Sequence, residues 1–132
     1  MSHLLDTHAF VWAAFEPRRL GPEAVRLLED KSNKVFVSSV GLWEIALKYA
    51  LGKLVLKNCK PDDLLRETHR LDLEILELSG ADAATSHRLP RLSHRDPFDR
   101  MIVWQAIRQN FTLVTKDRGL EAYQSLGLKM IW

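Results

Sequence analysis

Residues 35–48 run Val35-Phe36-Val37-Ser38-Ser39-Val40-Gly41-Leu42-Trp43-Glu44-Ile45-Ala46-Leu47-Lys48. Three apolar residues and a serine make a strand over 35–38. Helical spacing of apolar residues takes over at once across about 40–51, and Gly52 stands where a helix stops. A strand this short and apolar has no face to give to water, so it belongs inside a parallel sheet covered by helices on both sides. The same passage from strand to helix recurs along the chain. It places further strands at 3–5, 73–76, 112–115 and near 129–131. Helices fall at about 7–15, 22–31, 61–70, 80–88 and 97–109, with a short one at about 117–124. The expected fold class is α/β: a single domain over residues 1–132, with a central parallel sheet of about five short strands flanked by helices.

Local chemistry supports these boundaries. Leu20-Gly21-Pro22-Glu23 puts Pro in a first helical turn, and Ala24, Val25, Leu27 and Leu28 follow at helical spacing. Pro61 with Asp62 and Asp63 opens another helix, negative charge meeting the positive end of its dipole. The chain has 132 residues, enough for one core and too few for two. Cys59 is its only cysteine, which excludes a disulfide framework and a cysteine-based zinc site and fits a reducing compartment. No run approaches the ~18–20 apolar residues of a membrane span. The N-terminal residues lack the basic and apolar segments of a signal peptide, so the expected location is the cytoplasm, with no membrane partner.

Right-handed crossovers bring the carboxyl ends of all parallel strands to one edge of the sheet, where α/β proteins hold their ligands. Four acids fall at or just past such ends: Asp6 after 3–5, Glu44 in the helix after 35–38, Asp99 in the helix opening at 97, and Asp117 after 112–115. Taken singly, most have a structural alternative. Asp6 before Thr7 is more often a helix N-cap than a ligand, and Asp117 in Lys116-Asp117-Arg118-Gly119 serves equally as a turn residue. Glu44 has Lys48 four residues on, the spacing of an ordinary helix ion pair, yet these are the only charges between Val40 and Leu51, which suggests a mostly buried helix. Asp96 reads best as the cap of the helix that Pro97 begins. Asp99 is harder to dismiss: it shares a face with Ile102, Val103 and Ala106, and an inward carboxylate is expensive unless paired or metal-bound.

Together the four acids point to a metal. Oxygen donors of this kind select Mg²⁺ or Mn²⁺, which activate a water for in-line attack on a phosphodiester. Charge agrees with an anionic substrate: Lys and Arg number 19 against 17 Asp and Glu, and setting the four acids aside leaves an excess of six positive charges. An ordinary mixed surface gives the same totals. No Walker phosphate loop is present, which argues against nucleoside triphosphate hydrolysis. Arg95 and Arg100 flank Asp99 as phosphate ligands or as solvated surface residues. Ser38, Ser39 and Thr115 stand at strand ends, able to bond a ligand carboxylate or merely the backbone. His8 and His94 lie beside the acids without metal spacing and suit packing or hydrogen bonding. Trp12, Trp43, Trp104 and Trp132 read as core before they read as base-stacking platforms.

These residues resemble the PIN-domain family, and within it the VapC-type toxins of bacterial toxin–antitoxin pairs. The likeness rests on Leu5-Asp6-Thr7-His8 with Trp12, on Val37-Ser38-Ser39 through Leu42-Trp43-Glu44-Ile45-Ala46, on His94-Arg95-Asp96-Pro97-Phe98-Asp99-Arg100-Met101-Ile102, and on Leu113-Val114-Thr115-Lys116-Asp117. It covers essentially the whole chain, and the third block is the specific one. The resemblance implies a Mg²⁺- or Mn²⁺-dependent endoribonuclease with Asp6, Glu44, Asp99 and Asp117 as its acids. Asp6 and Asp99 are expected as direct ligands, Glu44 and Asp117 directly or through water, and Asp96, Thr115, Thr7 and Arg100 in secondary places. It further implies an RNA substrate, a homodimer and a small antitoxin partner, for which the helices around Trp12 and Trp43 through Leu56 are the candidate surface. Rival readings are a non-toxin PIN nuclease of RNA processing, a catalytically silent RNA- or protein-binding module, and an aspartyl-phosphate phosphatase. The last needs a second acid two residues after Asp6, where this chain has His8.

Overall fold

A computed structural model describes residues 1–92 and 94–132. Its centre is β1 (Ser2–Leu5), which pairs in parallel with β2 (Lys34–Ser38) on one side and β4 (Thr112–Val114) on the other. β3 (Glu74–Leu76) extends the sheet beyond β2, and β5 (Lys129–Ile131) beyond β4, so the order is β3-β2-β1-β4-β5 with every pair parallel. The chain thus builds outward from β1 to β3, then crosses back to the far side of β1. That reversal opens a crevice at the carboxyl ends of β1 and β4.

Six α-helices are present among the described residues: α1 (Thr7–Phe15), α2 (Pro22–Glu29), α3 (Ser39–Ala50), α4 (Leu64–Arg70), α5 (Gly80–Thr85) and α6 (Pro97–Gln109). Side chains alternate across each strand and separate the core into two halves. Leu5, Val35, Val37 and Val114 pack on one face with Ala9, Phe10, Ala24, Leu27, Ile45 and Leu64. Leu4 and Leu113 pack on the other with Ile102, Val103, Trp104, Leu120 and Tyr123. At ~1.5–3 kcal/mol for each large apolar side chain removed from water, these two layers hold the sheet between them.

The five strands lie where the sequence places them. Four of the expected helices deviate. The helix expected over 22–31 ends at Glu29, because the Asp30 carboxylate accepts from the N–H (3.0 Å) and hydroxyl (2.7 Å) of Ser32, a turn that competes with helix. Those expected over 61–70 and 80–88 each include a 3₁₀ turn, at Pro61–Asp63 and Ser86–Arg88. The short segment near 117–124 is itself 3₁₀, Arg118–Leu126, and stops at Gly127 with φ 103°. Gly52 ends α3 at φ 72°, a conformation that favours glycine. The inference that α3 is mostly buried is corrected: Trp43 is 62% exposed, and Leu47, Tyr49 and Leu51 are exposed too. Apolar content does not ensure burial: among the described residues Phe98 meets the Trp43 ring edge-on at 5.1 Å, yet most of that side chain is left to solvent.

Gly21, in ordinary backbone geometry before α2, lies against Trp132. A Cβ there would stand 2.5 Å from the indole Cδ1 and 2.6 Å from the Trp132 carbonyl carbon. Gly21→Ala is therefore expected to lower stability by about 1–3 kcal/mol through overpacking alone. Urea unfolding checks this; an unchanged midpoint would mean that the last strand yields freely.

Candidate metal centre

The chain leaves β1 at Asp6, whose N–H still bonds the Val114 carbonyl of β4 at 3.1 Å. Asp6 Oδ1 accepts from the Ala9 N–H at 2.7 Å, capping α1, while Oδ2 accepts from the Thr115 hydroxyl at 2.5 Å. The cap and the site are one arrangement, since each oxygen has its own donor. Asp6 is 8% exposed. Burial pushes its carboxyl up to about 6, against the opposing pull of Thr115 and Ala9; the charge of Asp99 adds to the upward push.

Glu44 is 2% exposed in α3. Its Oε1 accepts from the Thr7 hydroxyl at 2.7 Å and its Oε2 from Lys48 Nζ at 2.5 Å. Gly41, one turn earlier, lets α3 approach the start of α1: a Cβ there would sit 3.1 Å from Thr7 Oγ1. The ion pair read from the sequence exists, but its carboxylate is buried and its ammonium faces the acids. The hydrogen bond that Lys48 donates to Glu44 raises its ammonium above the ordinary lysine range despite partial burial, and the charges of Glu44, Asp96 and Asp99 add to the rise.

α6 begins with Asp96 as its cap, Oδ1 accepting from the Phe98 N–H at 2.9 Å, and this sets Asp99 on the first turn facing inward. His94 stands between two acids. Its Nε2 hydrogen-bonds Asp99 Oδ2 at 2.9 Å, and its Nδ1 lies 3.8 Å from Asp117 Oδ2. Burial pushes the Asp99 carboxyl up; His94 opposes this, and the charges of Asp96 and Glu44 reinforce it. Asp117 is held by the Gly119 N–H at 2.8 Å on Oδ1, and its own N–H donates to Thr115 Oγ1 at 3.0 Å. Thr115 therefore links Asp117 to Asp6.

Donor atoms of Glu44, Asp96 and Asp99 all lie within 4.8 Å of one another, as do those of His94, Asp99 and Asp117. Asp99 belongs to both groups. Asp6 belongs to neither triad and enters through its charge and through Thr115. Oxygen donors predominate, their mutual repulsion calls for positive charge, and two of the carboxyls are held above their ordinary values by burial. The set fits a hard divalent cation.

The structure thus brings Glu44 and Asp117 each to Asp99, in two groups that share only that residue, with Asp6 outside both, and it draws in Asp96, which capping had seemed to account for. Arg100 is different. Its guanidinium donates to the carbonyls of Leu89 and Pro90 (3.1 and 3.0 Å) and to the Tyr123 hydroxyl (3.0 Å), bracing the loop before α6 rather than offering those donors to a phosphate. Of the tryptophans, only Trp104 is core; Trp12 and Trp132 are half-buried and Trp43 projects into solvent. Sequence reasoning missed the bridging position of His94. Its place five residues before Asp99 is no regular spacing, because a loop, not a helix, presents it.

A family profile described as the PIN domain matches residues 3–126. Ribonuclease VapC22 of Mycobacterium tuberculosis is 28% identical to this chain, the alignment covering 98% of this chain and 97% of that protein. Among solved structures, VapBC2 of Rickettsia felis bound to a promoter DNA fragment superposes with a TM-score of 0.71 at 24% identity, covering 100% of this chain and 99% of that one. DNA-bound VapBC of Salmonella typhimurium gives 0.64 at 18% identity, covering 99% and 97%. The two structures establish likeness of fold.

The raised Asp6 carboxyl has a consequence for stability. Between its ordinary value of 3.8 and about 6, the folded state binds a proton that the unfolded chain has released, so stability falls as pH rises through that window. Above it, the buried charge costs on the order of 2–3 kcal/mol. In EDTA, Asp6→Asn is therefore expected to be more stable than wild type at pH 7.5, with the gain fading by pH 4. Urea unfolding at the two pH values measures it; a destabilised variant at pH 7.5 would contradict the assignment.

Proposed function

This chain belongs to the PIN-domain family, and from that premise we propose that it is a metal-dependent endoribonuclease, the toxin of a toxin–antitoxin pair. The observation that carries the reading is the place of Asp99 in both groups of convergent donors. The name of the curated relative, a ribonuclease aligned over nearly its whole length, supports the substrate class. Residues 1–132 make up the domain in this reading.

Asp6 and Asp99 would hold the ion, with Glu44 and Asp117 joining directly or through water. Bound Mg²⁺ or Mn²⁺ supplies an activated water and charge neutralisation at the phosphodiester. The chain's own residues do the positioning. Thr115 fixes the Asp6 carboxylate, Thr7 and Lys48 fix Glu44, and His94 fixes Asp99 against Asp117. Half-burial keeps these carboxylates poorly solvated, which strengthens their attraction for a cation. Exposed Arg91 and Arg95 lie near His94, beside the acids, where a phosphate backbone would pass.

The exposed apolar side chains Trp43, Leu47 and Leu51, spaced four residues apart along and just past α3, form a stripe suited to a protein partner. We assign a small antitoxin to it, since the superposing structures include VapBC complexes. No helix among the described residues is long and apolar enough to cross a membrane. The reading places the protein in the cytoplasm as a homodimer, which sedimentation would test.

Purified wild type is expected to cleave single-stranded RNA only with Mg²⁺ or Mn²⁺, and both Asp6→Asn and Asp99→Asn to lose more than the ~10–100-fold that outer-shell changes cost. The ions should also raise the Tm of wild type and not that of Asp99→Asn. Regulated expression in bacteria, with mapping of new RNA ends, tests the toxin reading. Growth arrest by wild type alone supports it, and full activity of both variants would sink the assignment.

A further inference from the structure

The two groups of convergent donors differ in chemistry. Glu44, Asp96 and Asp99 offer oxygen alone, whereas His94, Asp99 and Asp117 add a ring nitrogen. They differ in charge as well. Lys48 already engages Oε2 of Glu44, so an ion at the oxygen group meets an ammonium 2.5 Å from one of its donors. Among the described residues, no lysine or arginine pairs with Asp99 or Asp117. His94 is fixed from both sides along the chain. Arg100 fastens the carbonyls of Leu89 and Pro90 in the loop before it, and Asp96 caps the helix after it. Gly119 borders the group: a Cβ there would stand 2.9 Å from Asp117 Oδ1 and 3.7 Å from His94 Nδ1, so the bare backbone leaves room beside both.

The distances suit coordination. His94 Nε2 lies 2.9 Å from Asp99 Oδ2, and two donors each ~2.1 Å from one ion, at a right angle, lie ~3 Å apart. Nδ1 faces Asp117 Oδ2 at 3.8 Å. A metal-bound imidazole directs its other N–H to just such a carboxylate, which fixes the tautomer. Oxygen donors alone suit magnesium, while an imidazole favours first-row transition ions. We propose that His94 is a metal ligand through Nε2, shares its ion with Asp99, and makes this group prefer Mn²⁺ or Co²⁺ to Mg²⁺. The ion takes the place of the proton between Nε2 and Oδ2, and the ring keeps its proton on Nδ1, toward Asp117. The proposal rests on the metal reading of the same acids and adds to it a nitrogen ligand and a preference among ions.

The test uses the untagged full chain and measures ion binding directly, without RNA. Calorimetry gives the affinities for Mg²⁺ and Co²⁺. His94→Gln is expected to weaken Co²⁺ by at least the ~10–100-fold of an outer-shell change, and Mg²⁺ far less. A residue that only holds Asp99 in place affects both ions alike, so an equal loss, or none, overturns the proposal. Electron spin-echo spectra of bound Mn²⁺ should show one coordinated imidazole nitrogen. That signal should vanish in His94→Gln and persist in His8→Gln, whose histidine lines a cavity with Asp6 and Asp117. The wild-type and His8→Gln spectra need no change at His94, so they decide the matter even where His94→Gln folds poorly. Ion binding with no nitrogen signal, or a signal lost with His8 instead, removes the His94 ligand and leaves the acids as the metal centre. Failure of all three ions to bind wild type removes the metal reading with it.

Discussion

Like charges brought within a few ångströms of one another in a half-buried crevice repel, and much of this structure is arranged around that repulsion. Parallel strands all end at the same edge, so the turns that leave β1 and β4, together with the helices that follow β2 and precede β4, deliver their acids to one place. What keeps them there is local. Asp6, Asp96 and Asp117 each commit one oxygen to a backbone N–H of the turn or helix they begin, and Glu44 commits one to Thr7. Each carboxylate is anchored by its own segment before it meets its neighbours. Lys48 then pairs with Glu44, and His94 stands between Asp99 and Asp117.

This explains why the choice between cap and ligand was a false one. A capping aspartate has two oxygens, and an α/β turn that caps a helix with one of them aims the other across the crevice. The price is stability. Asp6 and Asp99 are held above their ordinary proton affinity mainly by burial, a strain that survives because the two apolar layers on either side of the sheet over-determine the positions of β1 and β4.

The fold was legible to the extent that periodicity carries it. Strands of apolar residues at successive positions, joined to helices without long linkers, leave few alternatives to a parallel sheet, and Gly52 and Pro97 mark helix ends by their backbone chemistry alone. Helix length was less legible, because Asp30 and Ser32 make a side-chain turn that apolar spacing does not register. Burial was misread for α3: its composition is that of a core helix, but Trp43, despite its edge-on contact with Phe98, and Leu51 are largely exposed. At the candidate site, strand ends named the acids. They did not reveal that Asp96 approaches Glu44 and Asp99, that His94 spans Asp99 and Asp117, or that Arg100 braces a loop, since each depends on how the segment before α6 folds back.

The charge distribution follows from the same geometry. A net charge of +2 describes neither part of the surface. The acids are withdrawn into the crevice, where backbone amides, hydroxyls, Lys48 and His94 engage them. Lys116, Arg118, Arg91 and Arg95 stand outside, lining cavities at the crevice or next to it. An approaching polyanion meets the outer cations first, and they offset the repulsion it would feel from the carboxylates behind them. A small divalent cation would meet the opposite field, that of carboxylate oxygens already held in place by their own segments. In the proposed reading, one arrangement would thus serve two ligands of opposite sign, because local turns fix the acids at the sheet edge behind the outer bases.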